Sequence, residues 1–150
     1  MSAIDKLPSD LRTLFSDELS IVSRKIRTLF DARVKRIGLT LARARLLRHV
    51  SQVDGLTQTE LAEMLEVESP TLVRLLDGLE KQDLIKRCPV EGDRRAKHIL
   101  LTENGLAQAA AVARIAEEVR AEILDDISEA DLTSAIRVFR HIGKNIEATR

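Results

Sequence analysis

The chain has 150 residues, 24 basic and 24 acidic, for a formal net charge of zero, with 44% hydrophobic and 32% charged positions. That balance suits a largely helical domain with a proper core. It contains no apolar run of the ~20 residues a membrane span needs. One cysteine excludes an internal disulfide framework, and three Phe without Trp or Tyr exclude an aromatic platform for stacking single-stranded bases. Met1 to Asp10 lacks the basic-then-apolar layout of a signal peptide, so the expected location is cytoplasmic, with no membrane partner.

Neutrality conceals a division of charge. Ser23 to Arg48 holds nine Lys/Arg against Asp31 alone, whereas Glu103 to Asp131 holds eight acids against Arg114 and Arg120. A chain divided in this way can present a basic face to phosphate while remaining neutral overall.

In chain order, Leu11, Phe15, Val22, Ile26, Leu29 or Phe30, and Val34 recur at helical spacing and predict one long helix from about Ser9 to Arg36, broken by Gly38. Thr40 can cap a second helix carrying Leu46, Leu47 and Val50, which ends before Asp54-Gly55. Thr57-Gln58-Thr59-Glu60 is a capping box, and Leu56 and Leu61 stand where a hydrophobic staple places them. The short third helix turns Leu61, Ala62 and Leu65 inward, and Val67-Glu68 makes a brief turn. Ser69-Pro70 then opens a fourth helix as cap and first helical residue, with Leu72, Leu75, Leu76 and Leu79 as its buried face. Two helices joined so closely form a helix-turn-helix.

The early exposed positions of that fourth helix are Ser69, Thr71 and Arg74, followed by Asp77. In a helix-turn-helix this part of the second helix reaches base edges in the major groove. Arg74 could instead be a solvated surface cation pairing with Asp77 three residues on. Next, Leu84–Cys88 and Lys97–Leu101 read as antiparallel strands joined by a loop from Pro89 to Ala96 that carries Asp93, Arg94 and Arg95. An Arg at such a tip suits the narrow, strongly negative minor groove, and Asp93 is expected to orient it by a charge-assisted hydrogen bond.

The residues Leu61-Ala62, Ser69-Pro70-Thr71-Leu72-Val73-Arg74, Leu79-Glu80, Leu84-Ile85 and Asp93-Arg94-Arg95 to Leu101-Thr102 closely resemble the MarR family of bacterial transcriptional regulators, its SlyA-like branch in particular. The long first helix, Leu39-Thr40 and the last two helices extend the resemblance over nearly the whole chain. It implies that Arg95 enters the minor groove with Asp93 as orienting partner. Pro70, Thr71 and Arg74 would face the major groove, and Arg94 and Lys97 would meet phosphates. Asp83 departs from the Gly that many members carry between recognition helix and wing, a substitution Asp tolerates in left-handed geometry.

A fifth helix is expected from Glu103 to about Asp125 with Leu106, Val112, Ile115, Val119 and Ile123 as its stripe. A sixth would start at Ser128 and turn Leu132, Ile136, Phe139, Ile142 and Ile146 inward. The expected fold class is mainly α with a small β wing. Residues 1–36 form the N-terminal helix of a dimerisation region, 37–102 a winged helix-turn-helix, and 103–150 the C-terminal dimerisation helices. The terminal helices carry more apolar surface than one small winged helix covers, which points to a homodimer on a pseudo-palindromic duplex, its recognition helices roughly 34 Å apart.

The resemblance further implies DNA release, as in a repressor, on binding a small anionic or phenolic effector. Arg24, Arg27, Arg45 and His49 are candidate charge partners by location. Cys88, beside Lys86 and Arg87, opens the alternative of a redox-responsive regulator. A winged helix used for protein contacts is another alternative, but it would be expected to lose the cations retained here. His49, His98 and His141 show no metal-ligand spacing, no phosphate-cradling Gly loop or nucleophile–base pair is present, and neither a cofactor nor catalysis is expected.

Overall fold

In a computed structural model that describes residues 10–150, the chain forms α1 (Leu11–Lys35), α2 (Leu41–Gln52), α3 (Gln58–Leu65), α4 (Ser69–Lys81), β1 (Ile85–Val90), β2 (Asp93–Leu101), α5 (Glu103–Ile123) and α6 (Glu129–Ala148). The expected class, mainly helical with a small β wing, is the one observed. Ser9, the expected start of the first helix, lies outside the described residues; Asp10 caps α1 by accepting the Arg12 amide at 3.0 Å. The described residues as far as Glu117 form one compact unit, and Glu118–Arg150 form a second. No helix among the described residues is long and apolar enough to cross a membrane.

The core of the first unit is aliphatic. Val34, Leu46, Leu47, Leu61, Leu72, Leu76, Leu79, Ile99 and Val112 are completely excluded from solvent, with Leu39 and Ile85 nearly so. Burying each such side chain contributes about 1.5–3 kcal/mol. Gly38 ends α1 in the left-handed region at φ +79°, and the Leu39 amide returns to the Val34 carbonyl at 3.1 Å. Asp31 fastens α1 to the start of α2, accepting the Leu41 amide at 3.0 Å and Lys35 Nζ at 2.8 Å. The Lys35 hydrogen bond, and then the Leu41 amide, hold its carboxyl below the usual carboxylate range. Thr40 caps α2 as expected, its hydroxyl accepting the Arg43 amide at 3.3 Å.

β1 and β2 pair antiparallel from Ile85↔Leu101 to Pro89↔Lys97, and Val90 then pairs with Asp93. The expected long loop is therefore a short turn at Glu91-Gly92, with Gly92 at φ +83°. Arg94, Arg95 and Ala96 bulge from the second strand opposite no β1 partner. Leu56 and Thr57 add a short third edge: the Ile99 amide donates to the Leu56 carbonyl at 2.9 Å, and Thr57 bridges to His98.

The wing is closed at its root by a crowded junction. The Thr102 amide donates to the Leu84 carbonyl at 3.1 Å, and the Thr102 hydroxyl donates to the Asp83 carbonyl at 2.6 Å. The same hydroxyl accepts the Gly105 amide at 2.9 Å, which caps α5. Asp83 sits at φ +57°, in the left-handed region tolerated by Asp, and its carboxylate accepts Asn104 Nδ2 at 2.9 Å.

Two helical faces differ from expectation. Leu106 is 58% exposed, and the buried stripe of α5 runs through Ala109, Val112, Ala116 and Val119, beginning at Gly105. Close approach to the Leu84 carbonyl demands a small residue at 105, and that contact rotates the larger Leu106 outward. In α6, which Ser128 caps through the Asp131 amide at 3.1 Å, no residue is buried; Ile136, Phe139 and Ile146 are about half exposed. Periodicity located that apolar face, but the described chain does not cover it.

A Cβ at position 105 would stand 1.9 Å from the Leu84 carbonyl oxygen. Gly105→Ala should therefore cost about 1–3 kcal/mol, despite the better helix propensity of Ala. A lowered urea midpoint checks this, and an unchanged midpoint would contradict the packing.

Candidate nucleic-acid interface

The helix-turn-helix is set by local chemistry. Thr57 Oγ1 accepts the Glu60 amide at 3.3 Å while Glu60 Oε2 accepts the Thr57 amide at 2.7 Å, the reciprocal capping box expected from sequence. The Thr57 backbone bond, and then its hydroxyl, hold the Glu60 carboxyl below its ordinary range. Leu56 and Leu61 are both buried, as a staple requires. Glu66 then turns left-handed at φ +53°, Val67 packs on the core, and the chain enters α4.

That entry differs from expectation. Glu68, extended at ψ 151°, is the N-cap, with Ser69 as the first helical residue and Pro70 the second. The left-handed turn at Glu66 brings the chain into helical geometry one residue early, so Ser69 cannot act as the cap. No side chain caps α4, and Pro70 still costs nothing because first-turn amides have no intrahelical acceptor. Leu72, Leu76 and Leu79 face the core, leaving Ser69, Pro70, Thr71, Arg74 and Asp77 exposed. Asp77 does not pair with Arg74. It accepts Arg87 Nη2 from β1 at 2.6 Å, and among the described residues Arg74 has no ion-pair partner.

In the wing, Asp93, Arg94, Arg95 and Lys97 are all exposed. Arg94 and Arg95 lie on the bulged part of β2 rather than in a long loop, and Lys97 stands opposite Pro89. Asp93 Oδ1 accepts the backbone amide of Arg95 at 2.9 Å. The expected carboxylate–guanidinium bond is replaced by this Asx turn, because a carboxylate two residues before an amide closes on it more readily than on a long flexible side chain. Asp93 therefore shapes the backbone that carries Arg95 and leaves the guanidinium unengaged. Arg74 and the wing cations belong to one compact unit and remain open to solvent.

The candidate effector residues are less concentrated. Arg24 and Arg27 line an open cleft of about 630 Å³ on α1 with Leu19, Ser20, Ser23 and Thr28, and Arg27 Nη2 donates to Ser23 Oγ at 3.2 Å. Arg45 and His49 lie one turn apart on α2 and are not among its walls. Partial burial, and then the positive charges of Arg45 and Arg48, push the His49 pKa below its ordinary value. Cys88 is a half-buried free thiol opposite His98, whose Nδ1 lies 2.5 Å from the Gly55 carbonyl oxygen.

Two contributors escaped the sequence reading. Arg87 ties the wing to α4, and Gln82 joins α2 to the end of α1, accepting Arg43 Nη1 at 3.0 Å and donating to the Gly38 carbonyl at 3.1 Å. Neither carries a motif; a partly buried Arg at an alternating strand position was the only signal for the first.

A family model described as the MarR family matches residues 37–96. Among solved structures, the transcriptional regulator PA3341 is 41% identical over 89% of this chain and 98% of its own, with a TM-score of 0.79. The MepR–DNA complex of S. aureus is 26% identical over 87% and 97%, with a TM-score of 0.79. A mutant MarR of E. coli complexed with operator DNA is 20% identical over 89% and 99%, with a TM-score of 0.78, a likeness of fold.

Two outcomes follow from the local geometry. Asp93→Ala should accelerate amide exchange at Arg95 while leaving global stability within about 0.5 kcal/mol, since the site is exposed. Unchanged exchange would remove Asp93 from the wing's shape. The lowered carboxyl of Glu60 stabilises the fold above the ordinary carboxylate range, and this contribution is lost as pH falls through its folded value. Glu60→Gln keeps an acceptor but does not titrate, so urea midpoints compared at neutral and acid pH should fall less for the variant than for the native chain.

Proposed function

The chain belongs to the MarR family of transcriptional regulators, and from that premise we propose that it is a sequence-specific double-stranded DNA-binding repressor acting as a homodimer. The observation that carries this reading is the set of exposed cations held in one compact unit: Arg74 on α4, with Arg94, Arg95 and Lys97 on β2. In the proposed complex Ser69, Pro70, Thr71 and Arg74 face the major groove, where Arg pairs bidentately with guanine. Arg95 enters the minor groove, on backbone shaped by Asp93. Arg94 and Lys97 neutralise phosphates, which sets affinity and its salt dependence rather than sequence preference. The wing residues Asp93-Arg94-Arg95 and Leu101-Thr102 support a place in the SlyA-like branch.

The dimer is supported by apolar surface left open at both ends of the chain. Leu11, Phe15, Val22 and Ile26 on α1 and Ile136, Phe139 and Ile146 on α6 are all exposed in the described chain. Large apolar side chains left exposed on each of these helices support an interface, and a two-fold pair would set a pseudo-palindromic operator. The proposed effector is a small anionic or phenolic molecule that releases DNA. Arg24 and Arg27 on the α1 cleft are its best-placed charge partners, with Arg45 and His49 secondary candidates on α2. A cytoplasmic, non-enzymatic role completes the reading.

Arg95→Ala should weaken operator binding and reduce the salt slope by about one unit. Arg74→Ala should relax preference at one base position per half-site by about 1–3 kcal/mol. Binding isotherms over a salt series and a randomised-operator selection measure the two. Unchanged affinity for the first would refute the wing assignment, and uniform loss across sequences for the second would make Arg74 a phosphate contact.

A further inference from the structure

Asp77 is an anomaly on a face meant for DNA. It follows Pro70 by seven residues and Arg74 by three, so at 3.6 residues per turn all three share one side of α4. Its side chain is about half exposed, and an unpaired carboxylate there would repel the phosphates that Arg74 approaches. It is not left unpaired. Arg87, whose side chain is only 24% exposed, reaches from β1 and places Nη2 2.6 Å from Asp77 Oδ1. Its Nε lies 3.4 Å from Glu80 Oε2, and that Nε is buried without a hydrogen bond, so Glu80 is engaged by charge rather than by a directed bond.

We propose that Arg87 is a positioning residue for DNA recognition: touching no DNA itself, it neutralises Asp77 on the groove-facing side of α4 and fastens the wing to that helix. The inference rests on the DNA-binding reading above. Its chemistry is specific. Arg87 lies beside Cys88 and one strand away from the bulge, opposite Ile99 in register, so its guanidinium links the recognition helix to the strand pair carrying Arg94 and Arg95. A forked guanidinium can serve two acids three residues apart on a helix, whereas the point charge of Lys serves one well. The free cations of the interface and this engaged one therefore have separate tasks. Arg74, Arg94, Arg95 and Lys97 attract the duplex, while Arg87 removes the charge that would hold α4 away from it.

The test is a double-mutant cycle on the full-length protein with an operator fragment, read over a salt series, with thermal unfolding by circular dichroism to establish that each variant folds. Arg87→Gln should weaken binding by roughly tenfold and lower the salt slope, because Asp77 then opposes one phosphate contact. Asp77→Asn alone should bind at least as tightly as the native protein. Arg87→Gln combined with Asp77→Asn should return affinity to within roughly threefold of native, and Arg87→Lys should be intermediate. A merely structural Arg87 would not be rescued by removing an acid, so a double variant as weak as Arg87→Gln overturns the proposal, as does an Arg87→Gln that binds normally. Failure of the native protein to bind any duplex at low salt would overturn the DNA-binding reading and this inference with it. A native protein that binds, with additive substitutions, overturns this inference alone.

Discussion

The crowded contact between the Leu84 carbonyl and the first turn of α5 governs the placement of the wing and of the start of α5. One backbone oxygen accepts the Thr102 amide, and it lies so near position 105 that no side chain fits there. Thr102 contributes three hydrogen bonds to this junction, through its amide to Leu84, its hydroxyl to Asp83, and its acceptance of the Gly105 amide. The strand pair is closed at its root, and α5 is launched from Thr102, the one residue between β2 and that helix. A second tether, the Leu56 carbonyl with the Ile99 amide and the Gly55 carbonyl with His98, binds β2 to the segment that caps α3. Wing and helix-turn-helix are thereby fixed to one another by backbone, which is less sensitive to solvent and salt than surface charge.

On that frame the distribution of charge acquires meaning. A chain with equal numbers of acids and bases has no general attraction for a polyanion. What distinguishes the candidate interface is which cations are engaged and which are free. Lys35 is held by Asp31, Arg43 by Gln82, and Arg87 by Asp77 and Glu80. Arg74 and the wing cations are left to solvent. The pairing of Arg87, whose side chain is only a quarter exposed, both fastens the wing to α4 and sets the field over that helix.

Much of this was legible in the sequence because capping is local. Thr40, Thr57 with Glu60, and Ser128 were each identified from a few neighbouring residues and cap as expected. The Leu72, Leu76 and Leu79 spacing likewise defined the buried side of α4. The misread features depend on backbone. Ser69 lost its capping role to Glu68 because of a left-handed turn at Glu66, a residue type that rarely signals one. The wing strands outran their apolar pattern because ladder pairing continues through charged residues. The expected stripe of α5 holds at Val112, Ile115 and Val119 and fails at Leu106, because Gly105, Ala109 and Ala116 carry little hydrophobicity yet allow the closest packing. Nor could one sequence reveal that Asp77 answers to Arg87 rather than to its helical neighbour Arg74, since that pairing exists only once β1 folds back on α4.

The central claim is that this winged helix reads duplex DNA as a two-fold pair. The most direct measurement is a binding selection on genomic fragments with the purified protein at low salt. The account predicts enrichment of one motif with two inverted halves centred about one helical turn apart. Recovery of no duplex, or of fragments sharing no inverted motif, would contradict it.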